Sequence, residues 1–355
     1  MGGSQRLLDR HTCAMKRQRH WQRERIVRHN IALRRRACHQ RPRCRKARCD
    51  HTPRRVRNIR LSTPEHFTLG DAAARLALFK LVHALREGLA QGHRVHLDFT
   101  QSKRLHPCGT LYFTANLDQA LTDYPGQITC NYPEDNTVEQ LFQHIGLLQW
   151  MGLSPRQAIT AENVRHWHFV KGKTGDAAGF AELMAEYTNS FDGQVRMGLY
   201  SSLTEAVTNT IQHAYPDIPA TEVAPRPWWM FAQRLDDLLT VTICDLGIGI
   251  AESLKRKPEL KDYLLHWRPK TRDKKLIEAA AGRRSSTKLP YRGRGLPEML
   301  EFVRTSRIGG MIIHSNRGTY SYDVDTQTER TVVMAPALPG TLIQWTLSIA
   351  EPERT

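Results

Sequence analysis

The sequence predicts an α/β protein behind a basic N-terminal tail. Three observations predict it. Strand-like and helix-like stretches alternate from about residue 61. A later helical stretch, "YSSLTEAVTNTIQHAY", sets Glu205 and Asn209 four residues apart on one stripe. An apolar run, "LLTVTICDLGIGI", ends in Asp245 followed by Gly247 and Gly249, the pattern of a buried strand entering a tight turn.

The tail comes first. The chain has 355 residues and a net charge of +17. Residues 1–60 carry 20 Lys or Arg against 3 Asp or Glu, so they hold the whole excess, and the rest of the chain has 32 of each sign. Few large apolar residues lie there to offset the entropy of ordering, which predicts disorder in the free tail. Three readings of it stand: a nucleic-acid or other polyanion contact made by counterion release, a solvated tail with no specific partner, and translated leader ahead of a later true start. Cys38, Cys44, Cys49, His39 and His51 offer zinc-ligand chemistry but not the paired C-x₂₋₄-C spacing of structural sites. No stretch is long and apolar enough for a membrane helix, and residues 1–30 lack the apolar centre of a secretory signal. Seven scattered cysteines predict a reducing, cytoplasmic setting.

Residues 61–152 read as a small α/β domain. "DAAARLALFKLVHALREGLAQG" has helical periodicity and stops at Gly92. "RVHLDFT" is a short strand, "CGTLYFTANLDQALTDY" a helix and "GQITCNYP" a second strand. "NTVEQLFQHIGLLQWMG" is a second helix, with Asn136 expected as its cap and Glu139 three residues on. Short connections between these elements predict a parallel strand pair. Residues 153–180 are rich in breakers and read as a connector.

The chemistry lies in residues 181–351. Leu199, Leu203, Val207 and Ile211 would pack the Glu205–Asn209 helix on a sheet. Asp245, at the end of a buried strand, needs a partner for its carboxylate. A basic stretch of about forty residues follows, long enough to be a functional lid. It ends in "YRGRGLPEMLEF", where Gly293, Arg294, Gly295 and Leu296 open a helix whose free N–H groups suit an anion. "RIGGMIIHSNRGTYSYD" reads as two strands with a turn at Asn316–Gly318, and Gly340 and Thr341 precede a closing strand.

Two resemblances follow. The first domain resembles a STAS domain, the module of anti-sigma-factor antagonists, through "VHLDFT", a polar loop and "PCGTLYF". Phosphorylated members carry Asp-Ser at that helix start; here the stretch is His106, Pro107, Cys108, Gly109, Thr110. Thr110 is either a capping residue or a hydroxyl where a phosphate would be welcome. Residues 181–351 resemble the GHKL superfamily, the two-layer α/β sandwich of gyrase-type, chaperone, mismatch-repair, histidine-kinase and anti-sigma-kinase ATPases. The likeness rests on E-x-x-x-N, D-x-G-x-G, a lid, G-x-G-L and G-T in that order.

The resemblance implies ATP or ADP with Mg²⁺. Glu205 would be the catalytic residue that positions or deprotonates water. Asn209 would ligate Mg²⁺, and Asp245 would read adenine. Gly247 and Gly249 would shape the pocket floor, while Gly293, Arg294, Gly295 and Leu296 would approach the phosphates. Thr341 would support Asp245. His213, on the Asn209 stripe, is either a phosphate-facing side chain or a packed or surface one. Gyrase-like, chaperone and mismatch-repair members need a following Lys-donating domain, for which the remaining sequence is short. His166 and His168 sit in no phosphoacceptor box. The expected function is thus a regulatory ATPase or serine/threonine kinase of the anti-sigma-factor type. A STAS-type or sigma-factor-like protein would be its partner, and a homodimer is compatible with this. Its alternatives are a non-hydrolysing, ATP-gated interaction module and a nucleic-acid-associated ATPase that uses residues 1–60.

Overall fold

The computed structural model describes residues 56–173, 191–218, 226–257, 260, 268–281, 295–306 and 309–349. The tail up to residue 55, with its zinc-ligand candidates, lies outside them. The described chain is mixed α/β, and from Val56 onward it belongs to one compact unit. No helix among the described residues is long and apolar enough to cross a membrane.

The first sheet is parallel, in the order β1 (Asn58–Ser62), β3 (Arg94–Asp98), β5 (Ile128–Cys130). β1 takes in residues that the sequence suggested were tail, because Ile59 and Leu61 pair with Val95 and Leu97. A parallel pair of two-residue strands, β2 (His66–Phe67) and β4 (Arg104–Leu105), adjoins it. Helix α1 (Ala72–Ala90) starts where the Asp71 carboxylate accepts from Ala74 N–H at 2.7 Å.

Helix α2 (Pro107–Asp123) is capped by His106 and has Pro at its first position, where no donor is lost. Thr110 is therefore not its cap. It is fully buried in the helix, which also withholds it from modification. A side chain at Gly109 would collide with the Phe67 backbone, so glycine there lets α2 lie against β2. Phe67, Phe99, Phe113 and Phe142 then meet edge-on, with centroids 5.0–6.4 Å apart. Helix α3 (Asn136–His144) is capped by Asp135, not Asn136: its carboxylate accepts from Val138 N–H at 3.0 Å. Glu139 makes no capping box. It takes both arms of Arg156 at 2.7 Å instead. Short helices α4 (Leu147–Trp150) and α5 (Glu162–Arg165) follow.

The second sheet is antiparallel throughout, in the order β6 (Trp167–Gly172), β7 (Trp228–Leu235), β8 (Leu238–Asp245), β10 (Thr328–Ser348), β9 (Gly310–Asp323). β6 falls inside the expected connector and serves as an edge strand. β9 is one strand rather than two, since Asn316 takes a left-handed φ of 52° without turning the chain back; opposite it, β10 bulges between Val333 and Thr341.

Both faces of this sheet are buried. On one, Trp228, Met230 and Ile243 pack with α6 (Gly193–Asn209) and α9 (Gly295–Ser306) through Leu199, Leu203, Met299 and Leu300. On the other, Trp229, Phe231, Cys244 and Leu342 join the core of the first domain. Helix α2 forms that second cover, and its Asp118 accepts from Lys171 Nζ at 2.6 Å and Trp229 Nε1 at 3.0 Å. A third layer thus lies behind the sheet for which two layers were expected.

Candidate functional site

Helix α6 begins where Asp192 accepts from the N–H groups of Gln194 and Val195, both at 2.8 Å. Its apolar stripe binds it to the sheet and leaves Glu205 and Asn209 on a flank. There Asn209 Nδ2 donates to Glu205 Oε1 at 3.1 Å. Beyond Asn209 the helix widens into a π-helical turn, Thr210–Ala214, an irregularity common at functional sites. That turn brings the Ala214 carbonyl to Ile248 N–H at 2.8 Å, and so ties the helix end to the loop after β8.

Strand β8 delivers Asp245 to the same place. Thr341 on β10 is its register partner. The carboxylate is buried, and burial pushes its pKa up to about 6. Hydrogen bonds from Gly247 N–H and from the backbone and hydroxyl of Thr341 hold it back from rising further. The Gly247 N–H lies 2.8 Å from Oδ1. Tyr215 braces the loop from below, accepting from Leu246 N–H at 3.1 Å and donating to the Pro227 carbonyl at 2.8 Å.

The loop enters helix α7 (Gly249–Lys255) under a clamp from β9, where that strand faces the β10 bulge. Ser315 Oγ accepts from Ile250 N–H at 2.8 Å and donates to the Gly340 carbonyl at 2.9 Å. Asn316 accepts from Ala251 N–H at 3.2 Å through Oδ1 and donates to the Ile248 carbonyl at 2.9 Å through Nδ2. Helix α8 (Pro269–Ala280) joins through Asp273, which takes Lys255 Nζ at 2.8 Å and Arg317 N–H at 3.3 Å.

Glu205, Asn209, Asp245, Gly249, Gly295, Leu296 and Thr341 line one cavity of about 450 Å³. Gly247 sits beside it in the Asp245 loop. Gly293 and Arg294 lie outside the described residues. Ile243, Ile250, Leu254, Leu260 and Ile343 give the cavity an apolar floor. His213 also lines it and is exposed rather than packed.

The glycines also have a reason within the protein itself. Gly249 adopts φ 79°, and a side chain there would strike Ser315 and Asn316. A side chain at Gly247 would strike the Ala214 carbonyl, and one at Gly295 would strike the Glu205 carboxylate. Their first service is to let protein close on protein.

The clamp of Ser315 and Asn316, Tyr215, Lys257 and Glu298 are site features that sequence reasoning missed. "SNRG" carried a signal, but it is a turn signal; Asn at a left-handed φ within a strand has the same local signature. No protein-family model and no curated protein matches this chain.

Proposed function

We propose that this chain is a GHKL-type ATP-binding protein with a preceding STAS-like domain. We further propose that it acts as a cytoplasmic regulatory ATPase or serine/threonine kinase of the anti-sigma-factor type. The observation that carries the reading is Asp245: a buried carboxylate at a strand end, facing a cavity with an apolar floor. An exocyclic amine of a purine donates where this group accepts, and the apolar lining suits the ring. The volume falls in the range of ligand pockets, roughly 300–1,000 Å³.

The residues also fit a magnesium nucleotide. Among the described residues no group of three or more His, Cys, Asp or Glu could hold a metal alone. A hard ion would rest on the Asn209 amide oxygen and on phosphate oxygens, where it would supply charge neutralisation for phosphoryl chemistry. With its amide N–H turned to Glu205, Asn209 keeps that oxygen available. Glu205 is the group able to orient or deprotonate an attacking water or hydroxyl. Gly295, at the start of a helix, presents backbone N–H groups towards negative charge.

The acceptor for transfer would be another molecule, since Thr110 of the STAS-like domain is fully buried. A second reading, an ATP-gated interaction module without turnover, is favoured by the packing of α2 on β8, the strand that ends in Asp245. Contact with nucleic acid would fall to residues 1–60.

The test of the binding claim is nucleotide selectivity. Guanine presents an acceptor where adenine presents its amine, so ATP should bind roughly 10⁴-fold more tightly than GTP. Equal affinity would rule the reading out. Glu205→Ala separates the two functions: lost phosphoryl transfer with intact ATP affinity means catalysis, whereas intact biological activity means a switch.

A further inference from the structure

The described residues lining the cavity include three carboxylates, Glu205, Asp245 and Glu298, and one group of permanent positive charge, Lys257. Glu298 lies in the first turn of α9, the helix that Gly295 opens. If the cavity takes a nucleotide, as proposed above, several phosphate charges enter beside acids. One ion on Asn209 answers part of that charge, and the wall must answer more.

Lys257 stands where this is needed. It follows α7, the helix that grows from the Asp245 loop, and shares the cavity wall with His213. His213 is one turn beyond Asn209 on α6 and its π-helical extension. Desolvation at the cavity wall lowers the pKa of His213, and the nearby positive charge of Lys257 lowers it further. His213 offers hydrogen-bonding capacity to the same wall, and the lysine supplies the permanent charge.

We propose that Lys257 is a phosphate-binding residue of this cavity, its charge offsetting the carboxylates of Glu205 and Glu298 where the nucleotide's phosphate chain enters. A lysine acts there as a mobile point charge on a long stem, which suits a phosphate group better than it suits a base edge.

The experiment uses the full chain and three ligands, ATP with Mg²⁺, ADP with Mg²⁺, and adenosine, measured by titration calorimetry. In Lys257→Gln, affinity for ATP should fall about tenfold or more, with a smaller fall for ADP and none for adenosine. Lys257→Arg should restore most of the ATP affinity. The salt dependence of ATP binding should be shallower in Lys257→Gln than in the parent. Thermal melting of each variant shows whether it is folded. Equal losses for ATP and adenosine would overturn the proposal, because Lys257 would then only shape the cavity. Unchanged ATP affinity would overturn it too, leaving the adenine reading intact. A parent protein that binds neither ATP nor adenosine would sink both.

Discussion

Thr341 stands opposite Asp245 across the β8–β10 ladder and gives the buried carboxylate both its backbone N–H and its hydroxyl. This relationship makes a charged group tolerable at the end of an interior strand. Burial outweighs that support and pushes the pKa up from 3.8 to about 6.

That shift has a consequence for stability. The folded pKa lies above the unfolded value, so the folded state holds the proton more tightly. Its contribution is present below pH 3.8 and is lost as pH rises through about 6. The charged carboxylate costs the free protein on the order of 3 kcal/mol above pH 6. Denaturant unfolding at pH 5, 6 and 7.5 should show stability rising towards the acid side. Asp245→Asn should lack that component of the slope.

If the cavity takes adenine as proposed, the same group should set the pH dependence of binding. An adenine amine needs the ionised form, so adenosine affinity should fall as pH drops below about 6, and binding near pH 6 should release a proton. Calorimetry in buffers of different ionisation heat measures that release. Adenosine is the right ligand, because it has no phosphate to titrate in the same range. A binding event with no proton release at pH 6 would contradict the role given to Asp245.

Asn316 grips the loop that carries Asp245. Asn316→Gly keeps the left-handed backbone and removes two hydrogen bonds to residues 248–251. Adenosine affinity should drop about tenfold, with little change in melting temperature. Asn316→Ala should in addition lose about 1 kcal/mol of stability, since alanine is less at ease at φ 52°. Equal adenosine binding by both variants and the parent would remove the clamp from the site.

Gly295 and Glu205 form a coupled pair. Gly295→Ala should displace the Glu205 carboxylate and cost up to about 1 kcal/mol, since that carboxylate ends a flexible side chain. The same change in a Glu205→Ala background should cost much less. A double-mutant cycle by chemical denaturation reads the difference. Additive costs would mean that the two residues do not touch.

Much of this molecule was legible in one dimension. Gly92 ends α1 with φ 82°, as its place after the last apolar repeat suggested. The parallel pairing of β3 and β5 followed from short strand–helix connections. Asp245 does end a buried strand, and seven of the residues singled out by spacing line one cavity. β6 and β7 were not legible as strands. Trp228 to Ala232 are buried without alternation because the sheet is covered on both faces, and β6 is a strand only because β7 lies beside it. The Asn316 clamp escaped for the same reason, since its partners are more than sixty residues away.

The sequence by itself determined the α/β class, the helix carrying Glu205 and Asn209, and the strand that ends in Asp245, because periodicity and chain stiffness act over neighbouring residues. Only the tertiary structure decided that α2 covers the back of the second sheet, that protein atoms fill the space beside Gly247, Gly249 and Gly295, and that Lys257 shares a wall with His213. Those depend on close packing between segments far apart in the chain, where shape, burial and desolvation set the outcome and no local pattern records it.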